Sequence, residues 1–549
     1  MTKESLTKSI LVVALLALGC RGERRDVGSP AASDPEALAP LFADLGDFHY
    51  SVTASEEAQR FFDQALTLSY AFNHAEAIRS FREAGRLDPQ CAMCPWGVAL
   101  ALGPNINAPM DTAVVPDAME ALRQAKDLAS RASEREQRLI AAVAARYVEA
   151  APEDRSELDQ AYAAAMREVA RDFPEDADIQ TLYAEALMDT TAWSYWLDDG
   201  SPKPETEEIL TALEAALALN PSHIGALHLY IHTVEASADP YRGESIADRL
   251  GPLVPGAGHL VHMPSHIYLR VGRYEEASTA NELAALADES YIAQCNAQGF
   301  YPALYYPHNI HFLWFSAALE GRQEVSTAAG RKVAKQVGEE MARQMPQLEA
   351  FLPVPLFSMV RFGDWEGILA YPRPSEELIY LTAMWHYARG LAHVAGADLA
   401  AASAESAALE EVAASEAASS LDERGTWPGT ALVSIAHKVL AAQVAGLAGG
   451  RDRQIAGLEE AVAAQDELDY MEPPYWYYPV RQTLGRALLD AGRAGEAEVV
   501  YRQDLERVPR NGWSLHGLAR SLEAQGKTAE AAEATARFDE AWARADYEI

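Results

Sequence analysis

Seven of the 14 histidines stand between His228 and His311, in the segments HLYIHTVE, GHLVHMPSHIY and PHNIHF. Neutral imidazole is the commonest protein ligand for transition metals, so a cluster of this kind points to metal binding. His228 and His232 are four residues apart, as are His262 and His266, a spacing that lets one helix clamp an ion from a single face. With His259, His308 and His311 the set exceeds what one tetrahedral ion can use; two ions, or one ion with further imidazoles behind it, both stay open. Glu235 adds a carboxylate as ligand or general base. Imidazoles with one carboxylate suit copper or zinc, with iron a third candidate, and disfavour calcium and magnesium, which take oxygen. Zinc would supply an activated water and hydrolysis; a copper pair would supply oxygen or redox chemistry. The sequence does not separate the two. No nucleophile elbow, phosphate loop, nucleotide fingerprint or HExxH motif accompanies the cluster.

Cys91 and Cys94 are the other pair with chemical potential. In an oxidising compartment they are expected to form a local disulfide, with buried thiols or a metal role as alternatives. No histidine follows Cys94, which excludes covalent c-type haem there.

The elements that must position these residues are helices. The chain has 549 residues, is 49% hydrophobic and is rich in Ala, Leu and Glu, and no stretch alternates as a strand would. A formal charge of −36 argues against nucleic acid as a partner, since phosphate binding needs a basic surface; it favours a metal cation or a basic peptide. From Ala58 the segment AQRFFDQALTLSYAFNHAEAIRSFREAGRLDP places Ala77, Phe81, Ala84 and Pro89 at positions 20, 24, 27 and 32 of a 34-residue period. Leu484, Gly485, Ala497, Tyr501 and Pro509 fall at 7, 8, 20, 24 and 32 of a unit near the other end, and a further unit runs from Gly512. Pro221 and Pro255 are 34 apart, which sets contiguous units at 224–257 and 258–291, with Gly272 at position 15, and another begins near Pro307 with Gly321 at 15. This pattern resembles the tetratricopeptide repeat (TPR), whose unit is two antiparallel helices, A and B. The expected fold is all-α, a TPR-like solenoid of antiparallel helix pairs with loop insertions. Its expected division is 56–336, carrying the histidines, and 337–549. Between 340 and 470 helical pattern persists without fixed unit boundaries, and Ala400–Ser420 reads as a solvated helix.

Repeat numbering turns the cluster into geometry. His228 and His232 occupy positions 5 and 9 of one A helix, His259, His262 and His266 occupy 2, 5 and 9 of the next, and His308 and His311 occupy 2 and 5 of the third. Glu235 falls at position 12. At about 100° per residue these positions lie within roughly 80° of one another, away from the packing positions 4, 7, 8 and 11. The resemblance implies that this face lines a concave groove. Adjacent helices about 8–10 Å apart let imidazoles from both reach one ion. Pro264 interrupts the second set: either a helix starts at that proline or the helix is kinked there. His49, His74, His223, His386, His393, His437 and His516 read as ordinary surface or core histidines.

Three insertions interrupt the array, at 103–111, 190–204 and 292–306. The last two bring Trp193, Trp196, Tyr301, Tyr305 and Tyr306, which either cover apolar surface or form a lid and substrate-stacking groups.

Residues 1–20, MTKESLTKSILVVALLALGC, carry Lys3 and Lys8 and then the apolar run from Ile10 to Leu18, the pattern of a secretory signal. Its end resembles a bacterial lipobox, which implies lipidation of Cys20 and a lipoprotein held at a membrane outside the cytoplasm, periplasmic or at the cell surface. Residues 21–55 then form a tether, most flexible in composition up to 40. No other stretch is expected to cross a membrane. Two readings follow. In one, the chain is an extracytoplasmic metalloprotein, a metal-dependent oxidoreductase or hydrolase acting on a small-molecule substrate. In the other, it is a lipid-anchored scaffold binding a peptide or protein in an acidic groove.

Overall fold

The structure, a computed structural model, describes residues 37–549 apart from Asp198, Asn296, Gln298 and Thr426. The signal segment, Cys20 and the first part of the tether lie outside the described residues. All described elements are helical, and they pack into two compact units, residues 37–267 with 283–306, and residues 268–282 with 307–549.

The first unit contains α1 (Glu56–Tyr70), α2 (His74–Leu87), α3 (Met93–Ala101), α4 (Val115–Leu128), α5 (Glu134–Val143), α6 (Ser156–Asp172), α7 (Ala177–Asp189), α8 (Pro204–Leu219), α9 (Ile224–Val234), α10 (Glu244–Leu250) and α11 (Gly258–His262). The helix α12 (Pro264–Val271) begins in this unit, and α13 (Tyr274–Cys295) ends in it. Successive helices pack as antiparallel pairs because their small and aromatic repeat residues are buried: Ala77, Phe81 and Ala84 are fully enclosed. Cys91 and Cys94 are joined by a disulfide at the start of α3. Residues 37–55, expected to be tether, are docked instead. Leu38 N–H donates to Glu83 and Phe42 N–H to Gln64, and the Thr53 hydroxyl donates to Glu136 at 2.7 Å. Ala39, Leu45 and Tyr50 are buried there, so this segment gains apolar contacts that a tether lacks.

The repeat register is visible in the backbone. Gly272, Gly321, Gly492 and Gly526, all at position 15, have φ between 72° and 80° and end their A helices in the left-handed conformation. The residue after each donates back into the helix: Arg273 N–H to Tyr268 O, Arg322 N–H to Ala317 O, Arg493 N–H to Leu488 O, Lys527 N–H to Leu522 O. In the first repeat the same position is Phe72, with φ 55°, and Asn73 N–H makes the same bond to Leu68 O at 2.9 Å.

The second unit continues with α14 (Tyr306–Leu319), α15 (Gln323–Gln344), α16 (Val354–Arg361), α17 (Trp365–Ala370), α18 (Ile379–Ala395), α19 (Leu399–Ala413), α20 (Glu416–Ser419), α21 (Leu421–Gly425), α22 (Gly429–Leu447), α23 (Arg451–Asp466), α24 (Val480–Asp490), α25 (Ala494–Arg507), α26 (Gly512–Ala524) and α27 (Thr528–Ala541). The expected solvated helix at 400–420 is α19 with α20; in α19 only Ala402 and Leu409 are buried. By length and composition α22 could cross a membrane, contrary to expectation. Here it is a core helix, packed on α18, α19 and α23 through Leu432, Ile435, Val439 and Leu440. Within this unit Trp476 and Tyr477, from the connection between α23 and α24, are buried against Tyr387, and Tyr477 stacks on Phe357 with ring centroids 4.3 Å apart. The unit's last helices return to its first. Trp513 Nε1 donates to Ala318 O, Tyr274 Oη to Pro509 O, and both Asp546 oxygens accept from the N-terminal N–H groups of Gln323 and Glu324.

Candidate metal centre

The centre is built on α9. Every residue from Ile224 to Val234 is buried, so this helix is enclosed all round. His223 caps it, its Nδ1 accepting from Ala226 N–H at 3.1 Å. His228 and His232 lie one turn apart, and Glu235 closes the helix C-terminus, where the helix dipole favours a cation. Pro264 starts α12, so the proline costs no helical hydrogen bond, and His259 and His262 sit on the separate short helix α11.

Both helices aim their imidazoles at one place. Ligating atoms of His228, His232 and His259 lie within 4.8 Å of one another. His228 Nε2 faces His259 Nε2 at 3.1 Å, and His262 Nε2 faces His266 Nε2 at 2.9 Å. The other ring nitrogens fix the orientations. His228 Nδ1 donates to the Tyr70 carbonyl at 2.7 Å and His232 Nδ1 to Glu235 Oε1 at 3.0 Å. His266 Nδ1 stands 2.5 Å from Glu235 Oε2. His232 Nε2 is then buried with no hydrogen-bond partner among the described residues. An orphaned imidazole nitrogen inside a protein is costly unless a ligand takes its lone pair.

Burial favours the neutral, ligating form of His228 and His232. Burial, and then the neighbouring His232, pushes the His228 pKa well below the usual histidine value; burial lowers that of His232 against the opposing pull of Glu235. Burial raises the Glu235 pKa, but the imidazoles of His266 and His232 outweigh it and hold the carboxyl below its usual range. Glu235 stands beside the imidazoles with its two oxygens near Nδ1 of His232 and Nδ1 of His266, the position of a group that orients ligating rings.

All three insertions reach this place. Trp193 meets the His232 ring edge-on at 5.1 Å and is itself 47% exposed, whereas the five histidines are at most 4% exposed. Trp196 Nε1 donates to Thr233 O, bracing the end of α9. The π-type turn Tyr301–Tyr305 sets the Tyr305 ring 4.8 Å from His259, while Asn107 of the first insertion donates to Tyr305 Oη. Tyr301 Oη accepts from His259 N–H and donates to Asp288. Tyr306 instead donates to Glu289.

His308 and His311 belong to the second unit. The His311 ring stacks on Trp314 and meets Phe351 edge-on at 5.1 Å, and burial pushes its pKa down to about 3. Of the histidines read as ordinary, His223 caps α9 and His386 bonds Glu405 at 2.7 Å.

Sequence reasoning missed Phe72. Its ring lies 4.6 Å from His228, 5.4 Å from His259 and 6.0 Å from His232, forming one wall of the centre. The signal was its place at position 15, where the units of Gly272, Gly321, Gly492 and Gly526 carry glycine.

No family model matches the chain, and no curated protein matches it. Among solved structures it is similar to a human IFIT1 dimer with m7Gppp-AAAA (13% identity, covering 90% of this chain and 91% of that one, TM-score 0.32). It is also similar to yeast Tom70 (12%, 86% and 90%, TM-score 0.27) and to the P58(IPK) TPR domain (11%, 86% and 99%, TM-score 0.23).

Proposed function

We propose that this chain is a metalloprotein that holds a transition metal, copper or zinc, through His228, His232 and His259. The observation that carries this reading is the buried, unpartnered Nε2 of His232 in reach of the ligating atoms of His228 and His259. Three imidazoles leave a tetrahedral ion one position for water or substrate, the arrangement of catalytic rather than closed structural sites. A zinc ion there would supply an activated water and a copper ion redox chemistry. The chain's own residues present the lone pairs, fix the ring orientations and exclude solvent. The reading includes export: the signal-like first 20 residues and the Cys91–Cys94 disulfide both suit an oxidising compartment, with Cys20 as lipid anchor.

Elemental analysis of the protein purified without a His tag tests this. Near-stoichiometric copper or zinc is expected, lost in His232→Ala/His259→Ala. Metal content equal to that of a His-poor control protein sinks it.

A second reading, a scaffold for a peptide or protein partner, draws on the helix-pair architecture and the charge of −36. It requires affinity for a basic peptide that chelation leaves unchanged.

A further inference from the structure

The five clustered histidines, His228, His232, His259, His262 and His266, form two sets, not one. His228 and His259 oppose their Nε2 atoms at 3.1 Å, and His262 and His266 oppose theirs at 2.9 Å. Two nitrogens bound to one ion at roughly 2.0–2.1 Å stand about 2.9–3.4 Å apart for bond angles between square and tetrahedral. Each pair is therefore already near the spacing of two ligands on one ion. Ligating atoms of His228, His232 and His259 lie within 4.8 Å of one another as one group, and those of His262 and His266 fall in another. Five imidazoles also exceed the four positions of a tetrahedral ion.

Glu235 ties the sets together. It is fully buried, one oxygen faces Nδ1 of His232 in the first set, and the other faces Nδ1 of His266 in the second. Ser265 Oγ lies 3.3 Å from Nδ1 of His262, and the Tyr70 carbonyl takes Nδ1 of His228. Four of the five rings thus have Nδ1 against a named group and Nε2 turned inward. A carboxylate behind a ligating imidazole fixes its tautomer and raises its basicity; one carboxylate here stands beside an Nδ1 of each set.

We infer that the centre is a two-ion site, with one transition-metal ion on His228, His232 and His259, a second on His262 and His266, and Glu235 as the shared positioning residue. This rests on the metal reading above. Because a single side chain orients a ligand of each ion, the two affinities are coupled: a change at Glu235 weakens both.

The test uses the full chain without a His tag, stripped by chelator and reloaded with Co²⁺ or Zn²⁺ alone. Metal per chain is measured by mass spectrometry, and the affinities by titration of the cobalt absorption. Two ions per chain are expected in the wild type and one in His262→Gln/His266→Gln. One ion in the wild type, retained by that variant, overturns the two-ion inference and leaves the metal reading standing. No bound ion overturns both. Glu235→Gln is expected to weaken both sites by about 10- to 100-fold at unchanged helicity, since an amide offers one acceptor where two imidazole N–H groups need it. Glu235→Asp, which keeps the charge, serves if the glutamine variant does not fold, and is expected to weaken both sites less. Affinities within twofold of wild type in the variant that folds, or a loss at one site only, overturn the shared role.

Discussion

The Phe72 ring meets the His228 imidazole edge-on at 4.6 Å, from a backbone that has φ 55°. A left-handed non-glycine residue costs on the order of 1–3 kcal/mol. Four repeats solve the same turn with glycine and Ala397 solves it at φ 56°; at Phe72 the left-handed residue carries a ring that lies against the centre. Phe72→Gly should relieve the backbone but lose a buried aromatic ring, a loss of about 3–5 kcal/mol. Net destabilisation by roughly 1–3 kcal/mol is expected, measured by denaturant unfolding of the metal-free protein. A stabilised variant would show that strain outweighs packing.

Trp193 is the half-exposed ring beside an otherwise buried His232. Its contact with the imidazole is of the kind worth about 0.5–1.5 kcal/mol. Trp193→Ala should therefore let a chelator strip metal roughly 3- to 10-fold faster, followed by stopped-flow with a chromogenic chelator. An unchanged rate would mean that ions leave by another route.

Gly258 is needed for space. A Cβ there would fall 2.0 Å from Asp288 Oδ1, and Asp288 holds Tyr301 Oη, which in turn accepts from His259 N–H. Gly258→Ala should displace His259 and lower metal affinity by about tenfold or more, as outer contacts of metal ligands do. Calorimetric titration with zinc would read it, with circular dichroism confirming intact helices.

His311 gives a pH dependence in the second unit. Burial between Trp314 and Phe351 lowers its pKa from 6.5 to about 3. Below pH 6.5 the unfolded chain takes a proton there that the folded chain refuses, so stability falls on acidification and the loss levels off near pH 3. His311→Phe should remove this contribution. The difference in melting temperature between wild type and variant should grow in the variant's favour from pH 7 to pH 4.

The helix pairs and their register were legible in the sequence because repeat packing recurs at fixed spacing: Ala77, Phe81 and Ala84 are buried where the pattern puts them. The convergence of His228, His232 and His259 was legible for the same reason. Pro264 left two geometries open, since a proline suits a helix start as well as a kink, and only the fold chooses. The atoms that Glu235 meets were not legible, because a residue's place on a helix face does not say where its side chain ends. Docking of residues 37–55 depends on surfaces that α1 and α2 create once folded. The apolar composition of α22 cannot distinguish a buried core from a lipid bilayer.

The return of the last helices to the first within the second unit bears on how such a chain can change length. An open array gains or loses a 34-residue copy at its free end with little disturbance elsewhere. Here Asp546 supplies the acceptors for the opening turn of α15, and Trp542 fills the space left by Gly321. A copy inserted after Ala541 would pull those residues out of place and expose both ends at once. This unit is therefore fixed in its number of repeats, and variation in it is confined to its loops.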